Sequence, residues 1–263
     1  MRWTKFIHLT DTHLIEPGAL LYGNDPLQRV QAALDSICRE HGDADFVLVT
    51  GDLAHTGQPA AYRALQQAFS RLPMPVRWVI GNHDDREAFC AQFTAVPRDA
   101  NGFVQQRLAL PLGELLILDT NAPGVPYGVF CAQRQAWLAE ALASSAEAPL
   151  YIAMHHPPFD VGLASMDAIG LKDAAAFEAV LAPHRHRVRH LFFGHVHRPI
   201  SGSWCGVPFS TLRATNHQVA FDLHAEEIPG SFEPPAYAVV LAHAQQTLVH
   251  NHDFLDASPR FPL

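Results

Sequence analysis

Lysine is nearly absent: of 18 basic residues only Lys5 and Lys172 are lysine, and 26 acidic residues leave a formal charge of −8. Such a chain has no basic field with which to hold a polyanion, so extended nucleic acid is a poor expectation for its partner. Cysteine is scarce too. Cys38, Cys90, Cys131 and Cys205 are far apart and form no CxxC pair, which disfavours a zinc ribbon, a redox pair or a disulfide framework and suits free thiols in a reducing compartment. No apolar run approaches the ~18 residues needed to span a bilayer. His8, Asp11 and His13 interrupt the N-terminal apolar stretch before it forms a signal-peptide core. A soluble, cytoplasmic protein with no membrane partner is expected. What the chain does have is a hydrophobic fraction of 48%, ample for one large domain over residues 1–263, and 17 histidines. Neutral imidazole is the commonest side-chain ligand for transition metals.

Short apolar runs alternate with amphipathic ones. Residues 5–10 read as a first strand, and 26–40 have helical spacing through Leu27, Val30, Leu34 and Ile37, with Asp25 as N-cap and Pro26 at the first position. The run 46–50, FVLVT, is long enough for a buried strand and too short for a globular helix. Helix is expected over 59–72, ended by Pro73 and Pro75, then a strand over 76–80 and a short helix over 87–93. Residues 103–110 and 115–119 read as strands flanking a tight connection at 111–114, which moves the fold away from a purely parallel sheet. Helix 132–143 leads to strand 150–154, residues 159–171 read as loop, 173–181 as helix and 191–193 as a strand. The segments 200–222 and 237–252 alternate as strands closing the second side.

Five of these strands end in ligand-type residues: Asp11 and His13; Asp52 after Gly51; Asn82, His83 and Asp84 after Gly81; His155 and His156; and His195 and His197 after Gly194. Strand C-termini are where open α/β sheets place their ligands. Imidazole, carboxylate and amide oxygen without thiolate suit Fe, Mn, Zn or Co and argue against a structural zinc site. One shared carboxylate bridges two such ions ~3.5 to 4 Å apart, the arrangement that serves displacement at phosphorus or hydrolysis at a carbonyl. His83 is expected to face the substrate phosphate or the leaving oxygen, with Asp84 holding its tautomer. The basic run 184–190 and the tail histidines His243, His250 and His252 read as solvated or polar sheet faces.

In this order, DxH, GDx, GNHD, HxP and GHxH resemble the calcineurin-like metallophosphoesterases over residues 6–197. LYG at 21–23, HHPP at 155–158, Met166-Asp167 and STLRATNHQV at 210–219 are most similar to the bacterial glycerophosphodiesterases and class III cyclic-nucleotide phosphodiesterases. The resemblance implies an α/β fold, a four-layer α/β/β/α sandwich of two mixed sheets, with a binuclear metal site at the strand C-terminal edge. It implies Asp11, His13, Asp52 and His197 on one ion, and Asp52, Asn82, His155 and His195 on the other. His156 fills the variable position of HxP and is not counted. His217 matches that branch's own histidine and is expected at the substrate phosphate. Arg213-Ala214 stands where the branch often has Pro-Gly.

The implied activity is hydrolysis of a small diester, a glycerophosphodiester or a 3′,5′-cyclic nucleotide, by in-line attack of a metal-bound hydroxide, with LYG and the long C-terminal region leaning toward the glycerophosphodiester. A nuclease or phosphomonoesterase on the same scaffold, or a non-catalytic interaction module, is the alternative, and a homo-oligomer is among the options. Loops 14–25 and 159–171 and segment 213–236, within a C-terminal β-rich region 213–263, are expected to form the rim of the site. Tyr22, Phe159, Met166 and His217 would offer surface to a small organic group.

Overall fold

The computed structural model describes residues 3–111, 113–145, 147–259, 261 and 262. The chain opens with strand β1 (Thr4–Leu9), helix α1 (Pro26–His41), β2 (Phe46–Thr50), α2 (Pro59–Phe69), β3 (Val76–Val79) and α3 (Arg86–Gln92). It continues through β4 (Gln106–Leu110), β5 (Gly113–Ile117), α4 (Ala132–Ser144), β6 (Leu150–Met154), the one-turn helix α5 (Ala164–Asp167) and α6 (Ala174–Leu181). A 3₁₀ stretch, Ala182–Arg187, leads into β7 (Val188–Phe193). Then follow β8 (Ser201–Trp204), β9 (Val207–Ser210), β10 (Gln218–Val219), β11 (Gly230–Ser231), β12 (Tyr237–His243) and β13 (Gln246–His252).

One sheet has the order β13-β12-β1-β2-β3 and the other β4-β5-β6-β7-β9-β8. Both are mixed. In the first, β1, β2 and β3 run parallel while β12 is antiparallel to β1 and β13; in the second, β5, β6, β7 and β9 run parallel between antiparallel outer strands β4 and β8. Successive strand residues face opposite sides, and this sorts the core into layers. Along β2, Val47 and Val49 pack toward α1 and α2, whereas Phe46 and Leu48 meet Ile117, Tyr151 and Phe192 of the other sheet. Ile152 and Met154 of β6 pack outward with Leu138 and Phe177 of α4 and α6. The order is helices, sheet, sheet, helices.

Asp25 caps α1 through Leu27 N and Gln28 N, as expected. Other boundaries shift for local reasons. Helix α2 stops at Phe69 rather than 72, because Leu72 precedes Pro73 and a pre-proline residue is disfavoured in helix. Residues 103–105 are not strand: Asp99 accepts from Phe103 N and Gln105 Nε2, and Asp119 accepts from Val104 N, so carboxylates take the place of a ladder partner. The connection expected at 111–114 includes Leu112, outside the described residues, but the strands do form a hairpin with Leu110 opposite Gly113. Segment 159–171 contains α5 rather than loop alone. The tail does not close one side: β8 and β9 extend the second sheet, while β12 and β13 extend the first. The run 184–190 is not simply a solvated face, since Arg187 is buried with Nη1 donating to Ser145 O, and buried His190 bonds Ser210 Oγ.

Candidate metal centre

The ends of β1, β2, β3, β6 and β7 meet at one edge of the sandwich, and the chain reaches it through unusual backbone. Seven described non-glycine residues have positive φ, and five of them are Asp11 (51°), His13 (43°), Asp52 (49°), His195 (69°) and His197 (47°). Such conformations cost of order 1–3 kcal/mol each and persist where surrounding structure imposes them. Here the imposition is visible: Asp11 N donates to Gly51 O (3.0 Å) and His13 N to Asp52 O (2.8 Å), locking the two strand-end loops together. Gly51 has φ +98°, and a Cβ on it would collide with the His155 ring.

Two donor sets result. Asp11, His13, Asp52 and His197 have ligand atoms all within 4.8 Å of one another. Within that set His13 Nε2 lies 3.1 Å from His197 Nε2, which lies 3.2 Å from Asp11 Oδ1. In the second set Asn82 Oδ1 is 3.2 Å from His155 Nε2 and 3.1 Å from His195 Nδ1. Asp52 belongs to both. Its Oδ2 is 3.6 Å from His13 Nε2 and 3.3 Å from His155 Nε2, while its Oδ1 accepts the His83 N–H at 2.9 Å.

Outer hydrogen bonds orient the rings. His155 Nδ1 donates to Thr50 O (2.7 Å) and His197 Nδ1 to His217 O (2.9 Å), so each Nε2 is left to the centre. His13 Nδ1 lies 3.2 Å from His55 Nδ1. The electrostatics suit a cation. Burial would lower the His155 pKa, yet the adjoining Asp52 carboxylate raises it to about 9; burial would raise Asp52, yet His155 holds it well below the usual carboxylate range. Both groups could hold a divalent ion, whose positive charge would stand in for that of the proton. Burial, with His155 beside it, pushes His195 down to about 3, and burial takes His13 well below its ordinary value, leaving neutral imidazoles as ligation requires. The donor set therefore fits two divalent ions.

His83 faces the cleft with Nδ1 donating to His55 O (2.7 Å). Asp84, expected to hold the His83 tautomer, does not pair with His83. Buried, it accepts from Gly81 N (2.9 Å), Leu53 N (3.1 Å), Ala54 N (3.0 Å) and the Tyr62 hydroxyl (3.0 Å), because the turn aims neighbouring side chains apart and three backbone N–H groups converge on the carboxylate. Burial and the Asp52 charge raise it to about 6. His217 stands at the rim, its ring 4.9 Å from His13 and 4.8 Å from His197. After Arg213-Ala214, Gln218 closes the loop, accepting from Ala214 N and donating to Ala214 O at 2.9 Å each. Buried His156 lies behind His195, bonded to Thr120 Oγ1 (2.8 Å).

Sequence reasoning missed His55, whose ring stacks on His83 at 4.9 Å and 20°. Its one signal was a histidine three residues beyond Asp52. Above the centre opens a cavity of about 480 Å³ with Tyr22, Met166, Ile169, Val219, Ile228 and Phe232 among its walls. Phe159 is not there; it packs in the core against Phe193, Trp204 and Phe209.

A two-sheet sandwich with a thiolate-free cluster of histidine, carboxylate and amide donors at its edge has the build of a metal-dependent phosphoester hydrolase. The calcineurin-like phosphoesterase family model matches residues 4–199, and the chain belongs to that family. It is 47% identical to a protein of Rhodopseudomonas palustris named a probable cyclic nucleotide phosphodiesterase, covering 98% of this chain and 96% of that one. It is 28% identical to a glycerophosphodiester phosphodiesterase of Enterobacter lignolyticus, covering 93% of this chain and 89% of that one. In fold it is similar to a dimetal phosphatase from Danio rerio, with a TM-score of 0.67 at 15% identity over 94% of this chain and 98% of that one. No helix among the described residues is long and apolar enough to cross a membrane.

Proposed function

We propose that this chain hydrolyses small phosphodiesters at a centre of two divalent ions drawn from Fe, Mn, Zn and Co. The observation that carries the reading is the placement of one oxygen, Asp52 Oδ2, between His13 Nε2 at 3.6 Å and His155 Nε2 at 3.3 Å, one imidazole from each donor set. Asp11, His13, Asp52 and His197 would hold one ion, and Asp52, Asn82, His155 and His195 the other. When bound, such a pair polarises phosphoryl oxygens and makes a water nucleophilic near neutral pH. The chain's own groups then position and donate. His83, with its Nδ1 proton committed to His55 O, presents Nε2 to the phosphate or leaving oxygen, and His217 approaches from the rim. Asp84 supports the loop that carries Asn82 and His83.

The apolar and aromatic walls favour a 3′,5′-cyclic nucleotide, whose base they would cover, over a glycerophosphodiester. Residues 1–263 act as one domain, in which 213–263 supply His217, Val219, Ile228 and Phe232 to the rim. Free Cys38, Cys90, Cys131 and Cys205 agree with a cytoplasmic setting. The test compares kcat/KM for cyclic nucleotides, glycerophosphodiesters and bis(p-nitrophenyl) phosphate with that for their monoesters, with a single-stranded oligonucleotide as control. Diesters should be faster, and cyclic nucleotides fastest. A preference for monoesters, or rapid oligonucleotide cleavage with little action on small diesters, would overturn the proposal. Elemental analysis tests the shared ligand: Asp52→Ala should lose both ions, Asn82→Ala mainly one.

A further inference from the structure

Between the two sheets, where the layer is otherwise dominated by Phe6, Phe46, Leu48 and Phe192, lies a buried histidine that none of the metal-site motifs includes. His8, on β1, is fully buried, and its Nε2 is 2.8 Å from Thr50 Oγ1. Thr50 Oγ1 is 2.8 Å from Thr10 Oγ1, and Thr10 Oγ1 is 2.6 Å from Asp11 Oδ2. The direction of every bond in this chain is forced. A carboxylate only accepts, so the Thr10 hydroxyl donates to Asp11; Thr10 then accepts from Thr50, and Thr50, its single proton used, accepts from His8 Nε2–H. His8 Nδ1 is left as the lone-pair nitrogen, and it has no hydrogen-bond partner among the described residues. Gly194 leaves the room the chain occupies, since a Cβ there would collide with Thr10 Oγ1 and Thr50 O.

We infer that His8, Thr50 and Thr10 form a one-way hydrogen-bond relay that positions Asp11 for metal, engaging Oδ2 at 2.6 Å so that Oδ1, 3.2 Å from His197 Nε2 and otherwise hydrogen-bonded among the described residues only by the shared His195 N–H at 3.2 Å, would be the oxygen offered to an ion. This rests on the ligand set proposed above. Groups that orient a metal ligand from behind typically contribute 10- to 100-fold in metal affinity. A buried polar network in an apolar layer is a poor stabiliser compared with hydrophobic residues of the same volume, so its effect should appear in metal binding and not in the stability of the metal-free fold. Burial, with His190 nearby, keeps the His8 pKa at about 3, so the ring stays neutral and the relay keeps its direction across the working range.

The experiment is a titration of metal-free protein with Mn(II), followed by calorimetry and by the electron paramagnetic resonance of free Mn(II), with the metal-free melting temperature measured alongside. Thr50→Val should weaken one of the two ions by about 10- to 100-fold and leave the other unchanged. Thr50→Ser, which keeps the hydroxyl, should restore binding to within about threefold of wild type. His8→Leu should also weaken that ion, with a metal-free melting temperature at or above that of wild type. Wild-type affinity at both sites in Thr50→Val and His8→Leu, or equal weakening at both sites with a lowered metal-free melting temperature that Thr50→Ser does not restore, would overturn the relay. Wild-type protein that takes up no Mn(II) would instead overturn the metal centre itself, and the relay with it.

Discussion

His83 enters the cleft with its Nδ1 proton held by His55 O at 2.7 Å and its ring stacked on that of His55. One residue thus fixes another by backbone and by ring at once. If His83 Nε2 protonates the leaving oxygen, His83→Ala should keep its metal and lose ~10²- to 10⁴-fold in rate on an alkoxide-leaving diester, with a much smaller loss on a nitrophenolate, which needs no proton. Equal losses on both substrates would assign His83 to holding the phosphate. The sequence could single out the strand ends that meet here, because each candidate ligand stands just past an apolar run; position alone does not separate the seven proposed ligands from His83, Asp84 and His156, and the family resemblance made that choice. Adjacency in sequence does not reveal where Asp84 points, because the turn sends its carboxylate to Gly81 N, Leu53 N and Ala54 N instead of to His83. His55 was passed over because it stands three residues beyond Asp52, outside any strand, where no period predicts its direction.

At the level of elements, the short hairpin of β10 and β11 carries the C-terminal wall of the site, from which His217, Val219 and Phe232 line the cavity together with Tyr22, whose ring lies 4.8 Å from that of His217. Both aromatic rings are largely exposed. A nucleobase stacked on such a ring gains ~1–3 kcal/mol, so Phe232→Ala or Tyr22→Ala should raise KM for a cyclic nucleotide roughly tenfold and barely change KM for a glycerophosphodiester. Steady-state kinetics on the two substrates decides it, and equal effects would argue against a base-covering wall. Strands β1, β2, β3 and β6 were legible from their β-branched and aromatic runs within a residue or two of their true ends. Residues 103–105 were not, because the same run of residue types surrendered its backbone N–H groups to Asp99 and Asp119, which lie at other points in the chain. The division of the tail between two sheets was likewise illegible, since β12 and β8 have similar local patterns and only their long-range partners differ.

For the molecule as a whole, histidines buried between the sheets make stability depend on pH. Burial lowers His190 from 6.5 to about 4. The unfolded chain therefore takes up this proton near pH 6.5 while the folded protein refuses it until about pH 4, so stability is complete above that window and falls as pH drops through it. Urea denaturation of metal-free protein at pH 7 and 4.5 should show wild type losing about 2 kcal/mol more than His190→Gln; identical losses would remove His190 as the cause. The seam between the sheets has a further consequence. On the proposed ligand set, Asp11, His13, Asp52 and Asn82 come from the first sheet, and His155, His195 and His197 from the second. His13 and His197, which would share one ion, are separated by 184 positions in the chain. Ions held by both sheets would tie a long loop shut as a cross-link does, and closing a loop of that size restricts the unfolded chain by about 5 kcal/mol in the entropic treatment of such ties. In a protein whose four cysteines are all free, the catalytic ions would then also be its rivet, and starvation for metal would leave a looser protein as well as an idle one.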